Sequence, residues 1–318
     1  MIRLSRHGRM RVVLSRILWP VLFGGGLLGT GLALSSDHPL VWFNVTYVAA
    51  AAVIAVIERW MPHEEVWLRS DRETVDDLAH TLLNKGLVQI GAAIASSLSM
   101  VAATVVEPAL RTPASPWPGD WPLAAQVLLG LVIAELGLYV AHRSAHESRF
   151  LWRFHALHHS VRRLWVLNTG RFHVVDSLFK IALSQTPLYL LGAPLPVFLW
   201  ISAITAFTGL LTHCNIDLRT GPLDFIVSTP ALHRWHHSKV LAEGNRNYGE
   251  NLVLWDRLLG TYYNPARRPP TDIGIDGRIA PGFLRQLVQP FTADGVRAIF
   301  QVLPEPARPS RDAVRSTD

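Results

Sequence analysis

LAAQVLLGLVIAELGLYVAHRSAHESRFLWRFHALHH, residues 123–159, sets an apolar run long enough to cross a bilayer against two clusters of histidine. On a helix, residues three and four apart share a face. HRSAH therefore brings His142 and His146 together, and HALHH does the same for His155, His158 and His159. HRWHH repeats the pattern at His233, His236 and His237, and His173 and His213 lie between the second cluster and the third. The spacing predicts that each cluster aims its imidazoles at one point. Imidazole suits iron, zinc, copper and nickel. Ten of the 14 histidines fall between His142 and His237, more than the four ligands of a structural zinc or the three of a catalytic one. The pattern predicts a polynuclear, all-nitrogen site at a membrane surface, with five imidazoles to each of two metals.

Outward from this segment the chain stays apolar. Of its 318 residues 49% are hydrophobic and 17% charged, with mean hydropathy +0.23, against about 25% charged in a soluble domain. Apolar runs at 17–34, 41–57 and 78–106 precede the span at 123–141. A further run, 174–212, is broken by Pro187 and by Gly192, Pro194 and Pro196, and reads as a helical hairpin. Lys85, Lys180 and Lys239 are the only lysines, so arginine sets the orientation. Arg3, Arg6, Arg9, Arg11 and Arg16 precede the first run and place the N-terminus in the cytoplasm. Segment 35–40 has no Lys or Arg and segment 107–121 only Arg111, as expected outside. Segment 58–74 holds Arg59, Arg69 and Arg72, and segment 142–172 holds Arg143, Arg149, Arg153, Arg162, Arg163 and Arg171, as expected inside. A hairpin returns His213 to that same side. The expected fold is an all-α integral membrane protein: four transmembrane helices plus a helical hairpin, with a cytoplasmic histidine-rich helical cap.

Several function classes drop out. The net charge of +6 comes from arginines at the ends of apolar runs, so no nucleic-acid partner is expected. Cys214 is the single cysteine, which excludes an internal disulfide, a CxxC pair, a CxxCH haem attachment and a cysteine-bound Fe–S cluster. Gly24, Gly25, Gly26, Gly29 and Gly31 lack the strand–turn–helix setting of a dinucleotide loop and read as helix packing. Ala33–Leu34–Ser35 is an acceptable small-x-small cleavage site, but further spans follow and an uncleaved anchor is expected. His146–Glu147 begins like the zinc-protease HExxH, yet Phe150 takes the second histidine's place. A zinc-dependent membrane hydrolase, or a non-enzymatic metal or haem carrier, stands as the alternative class.

Neutral imidazoles leave metal charge uncompensated, which calls for carboxylates behind the ligands. Glu135, Asp176, Glu250 and Asp256 are the candidates, with Glu135 first because an acid inside a span is costly and usually functional. Asn168, Asn215 and Asn247 are expected to orient ligands or to serve as turn and cap residues. His80 reads either as a pocket residue or as a satisfied core histidine.

HxxxH, HxxHH and a later HxxHH on one side of a polytopic chain resemble the fatty acid hydroxylase / sterol desaturase superfamily of membrane di-iron oxygenases. The likeness runs from Glu135 to Tyr262 and includes ELGLYVAHRSAH, NTGRFH, LTHCN, TPALHRWHH and NYGENLVLWDRLLGTYYNP. It implies that the eight clustered histidines are ligands and that His173 and His213 complete the set. It implies two iron ions, for which zinc can substitute, and O2-dependent hydroxylation or desaturation of a fatty-acyl, sterol or related apolar lipid. The family often has Asp in place of Glu135 and His-Pro in place of His173–Val174. With no donor motif in the chain, an external electron donor is expected, ferredoxin or cytochrome b5-like, with its reductase. Arg149, Arg153, Arg162 and Arg163 are candidates for its docking patch. The expected location is multi-pass in a bacterial inner membrane rather than the endoplasmic reticulum. The expected divisions are 1–134, transmembrane; 135–265, the di-iron domain; and 266–318, an amphipathic helix at 283–302 followed by a disordered tail.

Overall fold

The computed structural model describes residues 6–101 and 116–300, with side chains for 8–91 and 116–300. The helices are α1 (Arg6–Leu34), α2 (Pro39–Trp60), α3 (Thr74–Val101), α4 (Leu123–Glu147), α5 (Arg149–His159) and α6 (Val174–Leu190). They continue as α7 (Leu195–His213), α8 (Pro230–His236), α9 (Leu241–Gly244), α10 (Leu254–Leu258), α11 (Phe283–Val288) and α12 (Ala293–Phe300). Among the described residues there is no sheet, only three isolated bridges.

Local chemistry sets the helix ends. Pro39 opens α2 in the first turn, where a missing N–H leaves nothing unsatisfied. The hairpin turns on Gly192, whose φ of 74° suits a residue without Cβ, and α7 restarts behind Pro194. Ser148 breaks α4 from α5 and accepts a hydrogen bond from the backbone N–H of Leu151. Where helices must approach closely, small residues allow it. A Cβ on Gly29 of α1 would overlap Thr46 of α2, and one on Gly137 of α4 would overlap the Leu183 carbonyl of α6.

Among the described residues, four helices are long and apolar enough to cross a membrane: Gly8–Leu34, Pro39–Trp60, Leu123–Glu147 and Leu195–His213. Leu28, Leu32, Val48 and Val56 present bare hydrocarbon outward, as lipid contact demands. The fourth of these helices is the second arm of the hairpin, and the expected run at 78–106 extends beyond the described side chains. That run is helical as far as Val101, and its remainder lies outside the described residues. The first half of α3 has a polar inner face, with Asp77, His80, Thr81 and Asn84 buried. Its partner in this respect is α6, which buries Asp176, Lys180 and Ser184. The hairpin is thus unequal, one arm apolar and the other charged on its inner side.

Successive helices run up and down, so that alternate ends meet. The Ser15 carbonyl near the start of α1 accepts from the backbone N–H of Arg219 at 2.8 Å. Met61, just past α2, accepts from the N–H of Asp217 at 2.9 Å. Thr81, early in α3, donates to the Leu167 carbonyl at 2.8 Å. α4 and α7 end on His146–Glu147 and His213. The segments that arginine counting assigns to one side are therefore gathered at one end of the bundle.

Past residue 265 the expected single amphipathic helix is two short ones. Pro290, in the turn at Gln289–Phe291, removes a backbone donor and separates α11 from α12. Asp76 of α3 anchors this segment, accepting from the N–H groups of Gly282 at 3.1 Å and Phe283 at 2.9 Å. Residues 301–302 of that helix, and the tail, lie outside the described residues.

Candidate metal centre

Nine histidines converge in two groups. His142, His146, His155, His159 and His236 form one; His158, His213, His233 and His237 form the other; within each group, ring nitrogens lie within 4.8 Å of one another. The HxxHH clusters are divided between them, which differs from the expectation of one target per cluster. His155 and His159 go to the five-histidine group and His158 to the other, while His236 goes to the first and His233 and His237 to the second. The helix explains the division. At about 100° per residue, positions i and i+4 differ by about 40°, whereas i+3 and i+4 differ by about 100° and diverge. Each cluster thus aims an i,i+4 pair at one point and its middle histidine at the other.

The Nε2 atoms meet inside. His159 lies 3.0 Å from His146 and 3.1 Å from His155, and His237 lies 3.1 Å from both His158 and His233. Five Nδ1 atoms face outward to oxygen acceptors, whereas those of His158 and His237 are buried without a hydrogen-bond partner. His142 meets the Tyr248 carbonyl at 2.8 Å, His146 the Asn245 Oδ1 at 3.0 Å and His236 the Arg246 carbonyl at 2.7 Å. His155 meets Asp176 Oδ2 at 2.9 Å and His213 meets Asn168 Oδ1 at 3.0 Å. An Nδ1–H donated outward leaves the Nε2 lone pair aimed inward, the tautomer a metal ligand needs. His142 Nε2 and His236 Nε2 are buried with no hydrogen-bond partner in the protein. Burial pushes His155, His158, His159, His233 and His237 well below the usual histidine range, with help from neighbouring histidines. It pushes His236 down to about 4. Neutral, inward-facing nitrogens in sets of five and four fit two divalent transition metals.

His173 stands apart. Its Nδ1 accepts from the Val175 N–H at 3.1 Å and caps α6, and its Nε2 donates to the Leu287 carbonyl at 3.0 Å. Both nitrogens are committed, so it joins neither group.

Of the polar residues expected behind the ligands, Asp176 and Asn168 hydrogen-bond to one, and Glu250 Oε1 lies 4.0 Å from His142 Nδ1. Glu135 accepts from the N–H of Glu250 at 2.6 Å, and from the Asn251 N–H and Nδ2 at 3.0 and 2.8 Å. Asp256 accepts from the N–H groups of Tyr248 and Gly249 and from Thr261 Oγ1, at 2.7–2.8 Å. Both carboxylates shape loop 245–251, which supplies the acceptors for His142, His146 and His236. Asn247, at φ 54°, donates to the Leu232 and Tyr263 carbonyls, tying α8 to the chain beyond this loop. Asn215 pairs with the backbone of Glu64, and its own N–H donates to Glu58. Glu58 also accepts from the Val166 N–H at 2.8 Å, joining α2 to two histidine-bearing loops. His80 is a core residue, bonded to Gln286 at 2.9 Å and packed edge-on to Phe283.

Sequence reasoning missed Glu58, Asn245 and the carbonyls of Arg246 and Tyr248; a backbone carbonyl has no residue signature. Lys180, buried beside Asp176, did have one, as one of three lysines inside an apolar run. Of the four arginines assigned to docking, Arg163 is spoken for. It pairs with both oxygens of Asp71 at 2.9 Å and stacks on Trp165.

Clustered imidazoles at the helix ends and an exposed apolar belt define a membrane protein whose site is suited to holding metal. Residues 127–261 match the fatty acid hydroxylase family. An ornithine lipid hydroxylase from Rhizobium tropici, OlsE, is 63% identical over 297 residues, 93% of this chain and 90% of that protein. An alkylglycerol monooxygenase from Danio rerio is 32% identical over 46% of this chain and 32% of its own length. A Delta(7)-sterol 5(6)-desaturase from Candida glabrata is 30% identical over 42% of this chain and 35% of its own length. No solved structure matches. The chain belongs to the fatty acid hydroxylase family, and it is a lipid hydroxylase or desaturase.

Proposed function

We propose that this chain is an O2-dependent di-iron hydroxylase of ornithine lipid or a closely related aminoacyl lipid. The observation that carries the reading is near full-length identity of 63% to a relative named for that activity. The two imidazole groups support it. In this reading His142, His146, His155, His159 and His236 hold one iron, and His158, His213, His233 and His237 hold the other. Bound there, iron supplies the reduction of O2 and its coupling to oxidation of a C–H bond. The chain's own part is to fix the Nε2 lone pairs through the outward Nδ1 bonds, to exclude water, and to admit the lipid from the bilayer. Residues 135–265 are the catalytic unit, and 1–134 its membrane seat.

Hydroxylation balances as one C–H bond, O2, two electrons and two protons giving an alcohol and water. The two electrons come from outside the substrate. The single cysteine, Cys214, is buried and cannot build an Fe–S donor. Purified protein with iron, O2 and ornithine lipid in nanodiscs stays idle until a ferredoxin or cytochrome b5-like donor and its reductase are added. Then the lipid gains one oxygen, derived from 18O2 and read by mass spectrometry. Turnover of a sterol or free fatty acid in its place, with ornithine lipid untouched, sinks the substrate reading.

We further propose a bacterial inner-membrane location with the histidine end and both termini in the cytoplasm. Helix ends carrying Arg11, Arg16, Arg59 and Arg143 lie at that end. Alkaline phosphatase, active only outside the cytoplasm, is expected to be silent when fused after residue 318 and active when inserted in segment 35–40. The reverse pattern overturns the orientation.

A further inference from the structure

Lys180 has no part in the chemistry above, yet it is the one lysine buried among the described residues. Midway along α6, its Nζ lies 2.7 Å from Glu250 Oε1 and 3.8 Å from Asp176 Oδ2. An ammonium in such an interior is strongly unfavourable unless paired, and here both partners lead to the same place. Asp176 bonds His155 Nδ1 at 2.9 Å, and Glu250 Oε1 lies 4.0 Å from His142 Nδ1. His155 stands on α5 and His142 on α4, and both belong to the five-histidine group. On its other side the ammonium sits 4.1 Å above the Phe172 ring, which stacks at 4.2 Å and 9° on His158 of the four-histidine group. One group therefore meets the charge through two carboxylates, and the other meets an apolar ring.

We propose that Lys180 is a positioning residue for the five-histidine group. Its ammonium ties together the carboxylates behind His155 and His142 and so fixes the aim of two ligands from separate helices. The proposal rests on the metal reading of the two groups. It assigns a structural asymmetry: one metal position is set by an ion triad, Asp176–Lys180–Glu250, of which Asp176 and Lys180 are buried, and the other is not. A lysine that merely fills space would influence both groups alike, or neither.

The test uses full-length protein in detergent, stripped of metal and titrated with Co2+ against a chelator, with the ligand-field spectrum as the readout. Wild type is expected to take two equivalents; failure to do so sinks the metal reading itself, separately from this inference. Lys180→Met is then placed in two backgrounds. In His237→Ala, where the five-histidine group is the intact one, it weakens Co2+ binding by about 10–100-fold, the usual effect of losing a partner behind a ligand. In His159→Ala, where the four-histidine group is intact, it leaves binding unchanged. Lys180→Arg, which keeps the cation, recovers part of the loss. Equal weakening in both backgrounds, or none in either, overturns the proposal. If Lys180→Met does not fold, Glu250→Gln carries the test, since it cuts one arm and leaves the ammonium beside Asp176. It must show the same one-sided loss; a two-sided loss or no loss overturns the proposal.

Discussion

His159→Ala and His237→Ala each bring hydroxylation below detection and lower iron content, whereas His173→Ala keeps the wild-type iron content. His159 and His237 are the central imidazoles of their groups, each within 3.1 Å of two others. On the proposed di-iron reading, losing one removes a ligand and leaves its neighbours mispositioned, and because both metals serve one O2, loss of either stops turnover. His173 carries the opposite expectation, although the family resemblance counts it as a ligand. Its nitrogens are spent on the α6 N-terminus and the Leu287 carbonyl. Its removal costs about 1 kcal/mol, as losing a helix cap does, and leaves both groups whole. Elemental analysis beside an 18O2 assay checks all three variants. Loss of iron from His173→Ala would return it to the ligand set.

The second large effect is on stability. Asp256→Ala is expected to destabilise the protein by roughly 3 kcal/mol or more, at about 1–3 kcal/mol for each of three donors left without an acceptor. Asp256 is fully buried and accepts three hydrogen bonds, from Tyr248, Gly249 and Thr261. Without it two backbone N–H groups and a hydroxyl are left unsatisfied in the interior, each with its own desolvation penalty. Loop 245–251 loosens, and with it the acceptors of His142, His146 and His236. Iron should therefore leave the five-histidine group at a lower denaturant concentration than the four-histidine group. Denaturant titration with metal release as a second probe checks this. Coincident release from both groups would show that the loop does not serve one group in particular.

What the sequence made legible was what periodicity and charge encode. Hydropathy marked α1, α2 and α4, the arginine count matched the common end of the bundle, and three clusters located eight of the nine imidazoles, His213 being the ninth. α3 is harder to read, because Asp77, His80 and Asn84 on its inner face share a window with the apolar residues of its outer one. The division of each HxxHH between groups was implicit in the helix angle, but no local pattern says where a second target lies. The family resemblance counts His173 among the ligands, and no local pattern in the sequence shows that its imidazole also caps α6 and reaches the Leu287 carbonyl. The Nδ1 acceptors were hidden for a different reason: two are backbone carbonyls, and Glu135 and Asp256 work at one remove, by holding the loop that carries them.

The interleaving of the clusters also dictates an order of assembly. Read along the chain, the five-histidine group has four of its imidazoles by His159, all from the consecutive helices α4 and α5. The four-histidine group has only His158 until His213, and is complete at His237. Closing it means joining residues 79 positions apart, a slow, long-range contact compared with those inside one helical corner. On the proposed two-metal reading, a nascent chain can therefore hold a first metal well before it can hold a second. Chemistry that needs both is withheld until the last histidine-bearing helix has folded into place.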